Sequence, residues 1–525
     1  GPRLKKKSAL KNMVLPQKPV TQVQGYKSFL GNNPGFSEED FLGKVKTAFV
    51  LIQEAWAAKN LSKVRRFISD GVFQRFTTQF TMMNLLEQEN RVSNIRIHDI
   101  RIDRFKIDGA YDIAHVEITA SMKDQFICRT NPAFNSPGGD EAFKEYWSFI
   151  KKRGVSGHDM YQSNLCPSCD APLPDTLGDA GKCEYCGAFV NSGQYDWVLS
   201  EITQADDYVR GYAFKKSDNL KQKAAELIAE YEDVSVQLLE DKASNGYLQI
   251  KTAWVLKDPA LMRRFVSDKA YHKIRDSFSG ERIVFNRLWL NDVTTIGIST
   301  SKEENRNHVF IAVTMSSQRV LLRENGKAEI IDPSIISDVE VLNMSRETQS
   351  KAGKGSLYAH ICPSCGAALQ NSLDVHCQYC GTELNSPKHE WIIEDIMSYG
   401  EYMTYFKTEA KNMDEKLNPQ ILDDLYDVKD YALNNVMILV AADGVFAAEE
   451  QEFMEKLAKR WGFNVQKIGP LFTLARSGRL ALKMPEDMKK RRQIVSLMKK
   501  AAEADKNVSP EEQAIIEFME TQYLS

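Results

Sequence analysis

The sequence predicts an α+β protein: two tandem copies of a helix-then-sheet unit, followed by an all-α helical domain. Three observations predict it. Two long stretches repeat at a nearly fixed offset. Each copy passes from helical to strand-like periodicity. Residues 425–525 then carry helical periodicity almost throughout. The 525 residues are 43% hydrophobic, 10% aromatic and 26% charged, ordinary values for folded domains, so disorder and low complexity are excluded for most of the length. The length suits three or four domains of ~150 residues. With 68 basic and 71 acidic side chains the formal charge is −3, which excludes polyanion binding by bulk charge. The longest strongly apolar stretch, Val436 to Ala442, is far short of the ~18–20 residues of a membrane span.

The chain opens on Gly1-Pro2, the remnant that a cleaved expression tag leaves, so the expectation is a natural N-terminus, with any membrane segment, upstream of it. Residues 1–37 hold seven basic side chains (Arg3, Lys5, Lys6, Lys7, Lys11, Lys18 and Lys27) and no acidic one. Residues 1–38 are therefore expected to be a basic flexible tail. Beside a membrane segment such a run marks the cytoplasmic side. It can also touch anionic lipid, at about 1 kcal/mol per basic residue. A solvated tail with no partner is the plainer alternative.

The first unit is placed at 39–205. Leu42, Val45, Phe49, Ile52 and Trp56 recur at spacings of three and four, one face of a helix. Ile95, Ile97, Ile100, Ile102, Phe105 and Ile107 then alternate, with phase slips near Asp99 and Arg104 that predict bulges. Val116, Ile118, Ala120 and Met122 alternate cleanly. The stretch AWAAKNLSKVRRFISD (55–70) returns as AWVLKDPALMRRFVSD (253–268), offset 198, and the match reaches Phe80 and Phe278. Strand-like runs follow again at Val309 to Met315 and Arg319 to Arg323. The second unit is placed at 240–400, after a helical linker at 206–239. Helix first and sheet afterwards is an α+β order.

Nine cysteines are present, and eight form two sets of paired CxxC. Cys166 and Cys169 precede Cys183 and Cys186; Cys362 and Cys365 precede Cys377 and Cys380. Each CxxC loop offers two thiolates to one metal, and two loops complete the tetrahedral four-sulfur shell that zinc accepts. Two structural Zn2+ sites are expected, in ribbons at about 162–190 and 358–385. All four positions being cysteine, no place is left for catalytic water. A redox dithiol would instead be a single CxxC opening a helix. Zinc ligation implies a reducing compartment. Asp170 stands where the second copy has Gly366, and Cys128 is left as a small half-buried apolar residue. The inter-knuckle loops carry Asp170, Asp175, Asp179 and Asp374 against one Lys182, which argues against nucleic acid as a partner.

FLGKVKTAFVLIQEAWAAKNLSKVRRFISDGVFQRF, with FKEYWSFIKKRG and YDWVLSEI further on, resembles the Tim forty-four-like (Tim44-like) domain over roughly residues 39–203. The second copy, about 240–398, is similar to it through AWVLKDPALMRRFVSD and HEWIIEDI but lacks a counterpart of EYWSF. The resemblance implies a cone-shaped fold, helices wrapped by a curved antiparallel sheet, with the ribbon inserted before the last strand at Trp197 and at Trp391. It also implies membrane association and a lipid or peptide held between sheet and helix. Trp56, Phe67, Phe73, Phe76, Trp147 and Trp254 are the candidate lining, against ordinary core as the alternative. One arginine of each pair, Arg65-Arg66 and Arg263-Arg264, is a candidate for an anionic head group, against solvated helix charge.

A charged linker is expected at 401–424. Residues 425–525 resemble the tellurite-resistance TerB-like domain, through ADGVFAAEE and its weaker echo ADKNVSPEE. The resemblance implies Ca2+ or Mg2+ at Asp443 and Glu450 and at Asp505 and Glu512, hard oxygen ligands. Helix capping accounts for the same residues without metal, since Ser509 and Glu512 make a capping-box pattern. Lys489, Lys490, Arg491, Arg492, Lys499 and Lys500 lie on a helix with a solvated basic face.

No P-loop, Rossmann fingerprint, nucleophile elbow or HExxH occurs. His98, Asp99 and Asp103 are the one cluster that would suit an isomerase or hydratase of a cone fold, and a surface bulge is the plainer account of them. The expectation is a non-enzymatic, membrane-associated scaffold on the cytoplasmic face, with a protein partner, anionic lipid as a second candidate and no small-molecule substrate identified. A soluble cytoplasmic interaction hub is the alternative.

Overall fold

Serine caps and left-handed stops set the helices that precede each of two antiparallel sheets. The computed structural model describes residues 18–525 apart from 137, 156, 205–218, 233, 279, 351–361, 368, 370–373, 409–427, 443–447, 464–467, 477–479, 486 and 505–507. Helix α1 (Tyr26–Asn32) is followed by α2 (Glu38–Ala58) and α3 (Asp70–Leu85). Ser37 starts α2 by accepting from the Asp40 backbone N–H at 3.2 Å, and three acidic residues fill its first turn. Lys59, at φ 50°, ends it. Strands β1 (Gln88–Asp108), β2 (Tyr111–Cys128), β3 (Asp140–Lys152) and β4 (Val198–Gln204) form the first sheet in that order.

The second half repeats this plan. Helices α4 (Leu220–Glu230), α5 (Val236–Leu256) and α6 (Asp268–Asp276) precede β5 (Ile283–Ser301), β6 (Arg306–Leu322), β7 (Ala328–Ile330), β8 (Ile336–Glu347) and β9 (Ile392–Ser398). The sheet order is β5-β6-β8-β9, with β7 on β6. Ser235 caps α5 and Lys257, at φ 55°, ends it, at the offset from Lys59 that the sequence repeat sets. Ser69 and Ser267 cap α3 and α6, and their backbone N–H groups each donate at 2.9 Å to the last strand of their sheet, to Leu199 and Ile393.

Packing follows the helical spacing. Helix α2 buries Phe41, Val45, Ala48, Phe49, Ile52 and Ala55, while Leu42 and Trp56 are half-buried at the edge of that face. Each large buried side chain contributes about 1.5–3 kcal/mol. Register shifts in β1 fall between Ser93 and Arg96, Ile97 and Asp99, and Ile102 and Arg104. The phase slips seen in the sequence are thus β-bulges, and β5 carries three of its own. His98 meets Ser121 at 2.7 Å and Asp99 pairs with Arg101.

Of the stretch expected as a flexible tail, 1–38, residues 1–17 lie outside the described residues and the rest is held in the fold. Phe29 of α1 stacks on Phe105 with centroids 4.2 Å apart, and Gln24 pairs with β1 through Phe105 N–H at 2.9 Å. Gly25, at φ 80°, permits this approach: a Cβ there would stand 2.1 Å from the Phe105 carbonyl oxygen. The charge of the segment hid its aromatic anchors. Similarly, α7 (Tyr399–Thr408) occupies the start of the expected 401–424 linker and buries Tyr402, and α4 buries Leu227 in the second core.

The two halves meet through α3, α5 and the start of β5. Asp241 on α5 accepts from the Ser69 hydroxyl at 2.5 Å and from the Gly71 N–H at 3.2 Å, at the head of α3. Asp108, at the tip of the β1–β2 hairpin, accepts from Val236 and Gln237 N–H, each at 2.8 Å, at the head of α5. Each half therefore caps a helix of the other. A Cβ on Gly71 would lie 2.4 Å from the Asp241 carboxylate, so only glycine fits beneath α5.

The described residues beyond 427 lie mainly in helices α8 (Val428–Val440), α9 (Ala448–Arg460), α10 (Gly469–Arg476), α11 (Met488–Ala504) and α12 (Pro510–Tyr523). Two buried asparagines interrupt the apolar face of α8. Asn434 donates to the Ala481 carbonyl and Asn435 to that of Lys483, both at 2.8 Å. The segment they hold pairs with the second sheet: Leu482 N–H donates to Ile335 at 2.8 Å, and Ser337 N–H donates to Leu482 at 2.9 Å. Among the described residues no helix is long and apolar enough to cross a membrane.

Burial pushes the Asp241 carboxyl up to about 7. The folded protein then keeps this proton in a range where the unfolded chain has lost it. Stability should fall as pH rises from about 4 to about 7 and level off above that. In Asp241→Asn this share of the pH dependence should vanish. Urea midpoints at about pH 5 and about pH 8 check it; equal slopes in both proteins would contradict the assignment.

Candidate metal centres and ligand cavity

Each set of four cysteines converges in an inserted segment just before the last strand of a sheet. In each cluster the four sulfurs lie within 4.8 Å of one another. Cys166 and Cys186 are 3.7 Å apart and Cys169 and Cys183 3.9 Å; Cys362 and Cys380 are 3.7 Å apart and Cys365 and Cys377 3.8 Å. A tetrahedral metal with ~2.3 Å bonds to sulfur places its ligands about 3.8 Å apart, so both clusters fit that geometry. Among the described residues these are the two groups of His, Cys, Asp or Glu that converge for a metal.

The backbone explains the convergence. In all four knuckles the N–H of the first cysteine donates to a carbonyl five residues on, at 2.8–2.9 Å. Its own carbonyl accepts from the residue that follows the second cysteine, at 2.8–2.9 Å. That last residue is left-handed each time: Gly187, Gly366 and Gly381 at φ 74–76°, and Asp170 at φ 57°. Asp tolerates this region better than most side chains, which reconciles Asp170 with the glycines. The first cysteine of each knuckle is buried and the second exposed. Burial pushes the Cys166 and Cys362 thiols up to about 12, so an uncompensated thiolate is disfavoured there. The Ala188 N–H draws Cys186 down to about 7, and the Thr382 hydroxyl and N–H draw Cys380 down to about 6. Soft donors and closed geometry suit a metal held for structure.

Arg65, Arg66 and Arg264 are held by partners inside the fold, and Arg263 by partners nearer the surface. Arg65 is buried, pairs with Asp70, donates to the Ile68 carbonyl at 2.7 Å and lies over the Phe73 ring at 4.6 Å. Arg66 donates to the carbonyls of Ser163 at 3.2 Å, Pro174 at 2.8 Å and Asp175 at 3.2 Å, all in the first cysteine segment. Arg264, its counterpart, donates to the Leu384 carbonyl at 2.5 Å and pairs with Glu390 at 2.6 Å. Arg263 is half-buried, pairs with Asp268 at 2.5 Å and lies over the Tyr271 ring at 4.4 Å. Arg66 and Arg264 thus satisfy their guanidinium groups on the inserted segments and clamp them to the units beneath. A lysine completes each clamp: Lys44 meets Asp196 at 2.7 Å, and Lys242 meets Glu390.

The candidate lining residues separate into two groups. Trp56, Phe76 and Trp147 line a cavity of about 200 Å³ between α2, α3 and the inner face of the first sheet. Phe67 is stacked on Tyr161 with centroids 4.7 Å apart, Phe73 lies under Arg65, and Trp254 packs on Phe285 in the other core. Sequence reasoning missed Met82, Met83, Met122 and Phe126, which also line the cavity. The even-numbered alternation of β2 was the signal for the last two. It missed the contribution of the second half altogether: Leu248 from α5 and Arg287 to Leu290 from β5 close one wall. In the C-terminal part Glu450 opens α9, and Glu512 accepts from Ser509 N–H at 3.1 Å in a capping box. Asp443 and Asp505 lie outside the described residues. Cys128 is fully rather than half-buried.

Arg264→Met should cost about 3–5 kcal/mol, because Glu390 would keep its burial and lose a partner. Denaturant unfolding measures it, and a loss below about 1 kcal/mol would show that Arg264 is not a clamp.

A family model described as the Tim44-like domain matches residues 22–161. The match runs from α1 through β3 and stops short of the first cysteine knuckle, so the paired-cysteine segment is outside it. Searches of curated proteins and of solved structures gave no significant match. Residues 22–161 are thus similar to a Tim44-like domain; they include α1 and most of the cavity wall, while Ile202, Gln204, Leu248 and Arg287 to Leu290 of that wall lie outside the match.

Proposed function

We propose that this chain is a non-enzymatic binding or scaffold protein in which a Tim44-like domain and a second, related copy hold a lipid, a peptide or a protein partner. The observation that carries the reading is the cavity under the first sheet, apolar over most of its wall and bordered by Trp56, Phe76 and Trp147. Such a cavity suits a hydrophobic group better than a polar substrate. The four-sulfur clusters support a structural role for zinc, because four thiolates fill its coordination shell. In this reading each zinc ribbon staples an inserted segment to its unit, and the buried arginines do the same from below.

Membrane association and a cytoplasmic-face location rest on the basic N-terminal run and the Tim44-like resemblance. The TerB-like reading of residues 425–525 gives a helical docking domain, with a divalent ion at its junctions as a further part of the proposal. A soluble interaction hub is favoured by a different observation. Tyr185 and Tyr379 occupy equivalent knuckle positions and are 74% and 63% exposed, as aromatic anchors for a protein partner would be.

Two measurements test this. Native mass spectrometry should find two zinc ions per chain, one for each cluster, and Cys183→Ser should leave one. A metal-free, folded chain would remove the ribbon reading. Flotation with anionic vesicles should occur with the full chain and weaken severalfold when residues 1–17, with five of the seven basic side chains, are deleted. Failure of the full chain to float would favour the soluble hub.

A further inference from the structure

We infer that the cavity is a single site built by both halves of the chain, and that it selects an uncharged amphiphile with a hydrogen-bonding head rather than an anionic one. This rests on the binding reading above and narrows it.

The first observation is where the second half enters. The β5 register shifts between Asn286 and Trp289, and Arg287 takes φ 55° there. A bulge of this kind re-aims side chains out of a sheet. Here Arg287 and Leu288 both line the cavity of the other half. The contact is specific: Gln79 on α3 donates to the Leu288 carbonyl at 2.8 Å, and the Arg287 guanidinium lies 3.9 Å from the centre of the Phe126 ring. Leu248 on α5 joins the same wall.

The second observation is charge. The charged lining residues are Arg75, Arg287, Asp124 and Glu145, and Arg75 also pairs with Glu201 at 2.6 Å. A carboxylate or phosphate brought into this mostly apolar space would meet more carboxylates than cations, and an ammonium would give up its hydration for an apolar wall. An amide or ester head meets no such penalty and can both accept from the arginines and glutamines and, as an amide, donate to Asp124 or Glu145. The size agrees. A ~150 Å³ cavity holds benzene, so about 200 Å³ accommodates a short acyl group of roughly ten non-hydrogen atoms.

Isothermal titration of the full chain with octanamide, octanoate and octylammonium tests the inference, since the three share one chain and differ in head charge. Octanamide should bind at least about tenfold more tightly than either ion. Leu288→Ala, in the second half, should weaken octanamide by about tenfold. Arg287→Asn keeps a residue that tolerates positive φ, removes one cation from the lining and should shift preference towards octylammonium. Thermal unfolding of both variants, superimposable on that of the parent, excludes a folding defect as the cause. Octanoate binding as well as octanamide would overturn the inference and leave the binding function standing. Binding unchanged in both variants of folded protein would overturn the two-half site. If none of the three ligands bound, both the inference and the cavity reading of function would fall.

Discussion

The reciprocal capping of helices across the two halves is the constraint on which the rest of the architecture depends. Asp108 closes the head of α5 and Asp241 closes the head of α3, each from the opposite half. Free N–H groups at a buried helix start are costly; Asp108 satisfies two of them at α5, and Asp241 accepts from one, with the Ser69 hydroxyl, at α3. Because the caps are exchanged, neither helix is complete without the other half. The docking then sets what lies around it. It seats Thr78 against Thr252 at 3.0 Å, brings Gln88 to Asn286 at 2.7 Å, and carries the β5 bulge to the mouth of the first sheet.

Much of this was legible in the sequence and some of it could not be. The helical spacing from Val45 to Ile52 marks the core of α2, and the slips near Asp99 and Arg104 are the bulges of β1. The paired CxxC spacing announced the two sulfur clusters, because local chain geometry alone brings each pair together. The arginine pairs were misread for a physical reason. A charged residue beside an apolar one looks the same whether it meets water or a buried carbonyl, and the carbonyls that receive Arg66 lie about a hundred residues away. The same limit hid the role of Arg287 and Leu288. Their function depends on how two distant stretches dock, which no periodicity encodes. The aromatic set divided for a related cause: Trp56 and Phe67 carry similar local patterns, but only one borders empty space.

The cysteine segments illustrate stability assembled from both ends. Four thiols alone would scatter, since buried Cys166 and Cys362 resist ionisation. The knuckle hydrogen bonds orient the sulfurs, and Arg66 and Arg264 tie the segments to the units beneath. Each inserted segment is therefore fastened in two ways, by an arginine and by the convergence of its four cysteines. In the C-terminal part a comparable economy holds, where two asparagines hold a short extended segment against the second sheet.

Gly71 gives the arrangement a direction. It is the point at which α5 rides over the head of α3, and no side chain fits there. At the offset of 198 stands Lys269, in the first turn of α6, and its side chain is exposed. The head of α3 thus offers bare backbone to a crossing helix, and the head of α6 offers water a cation.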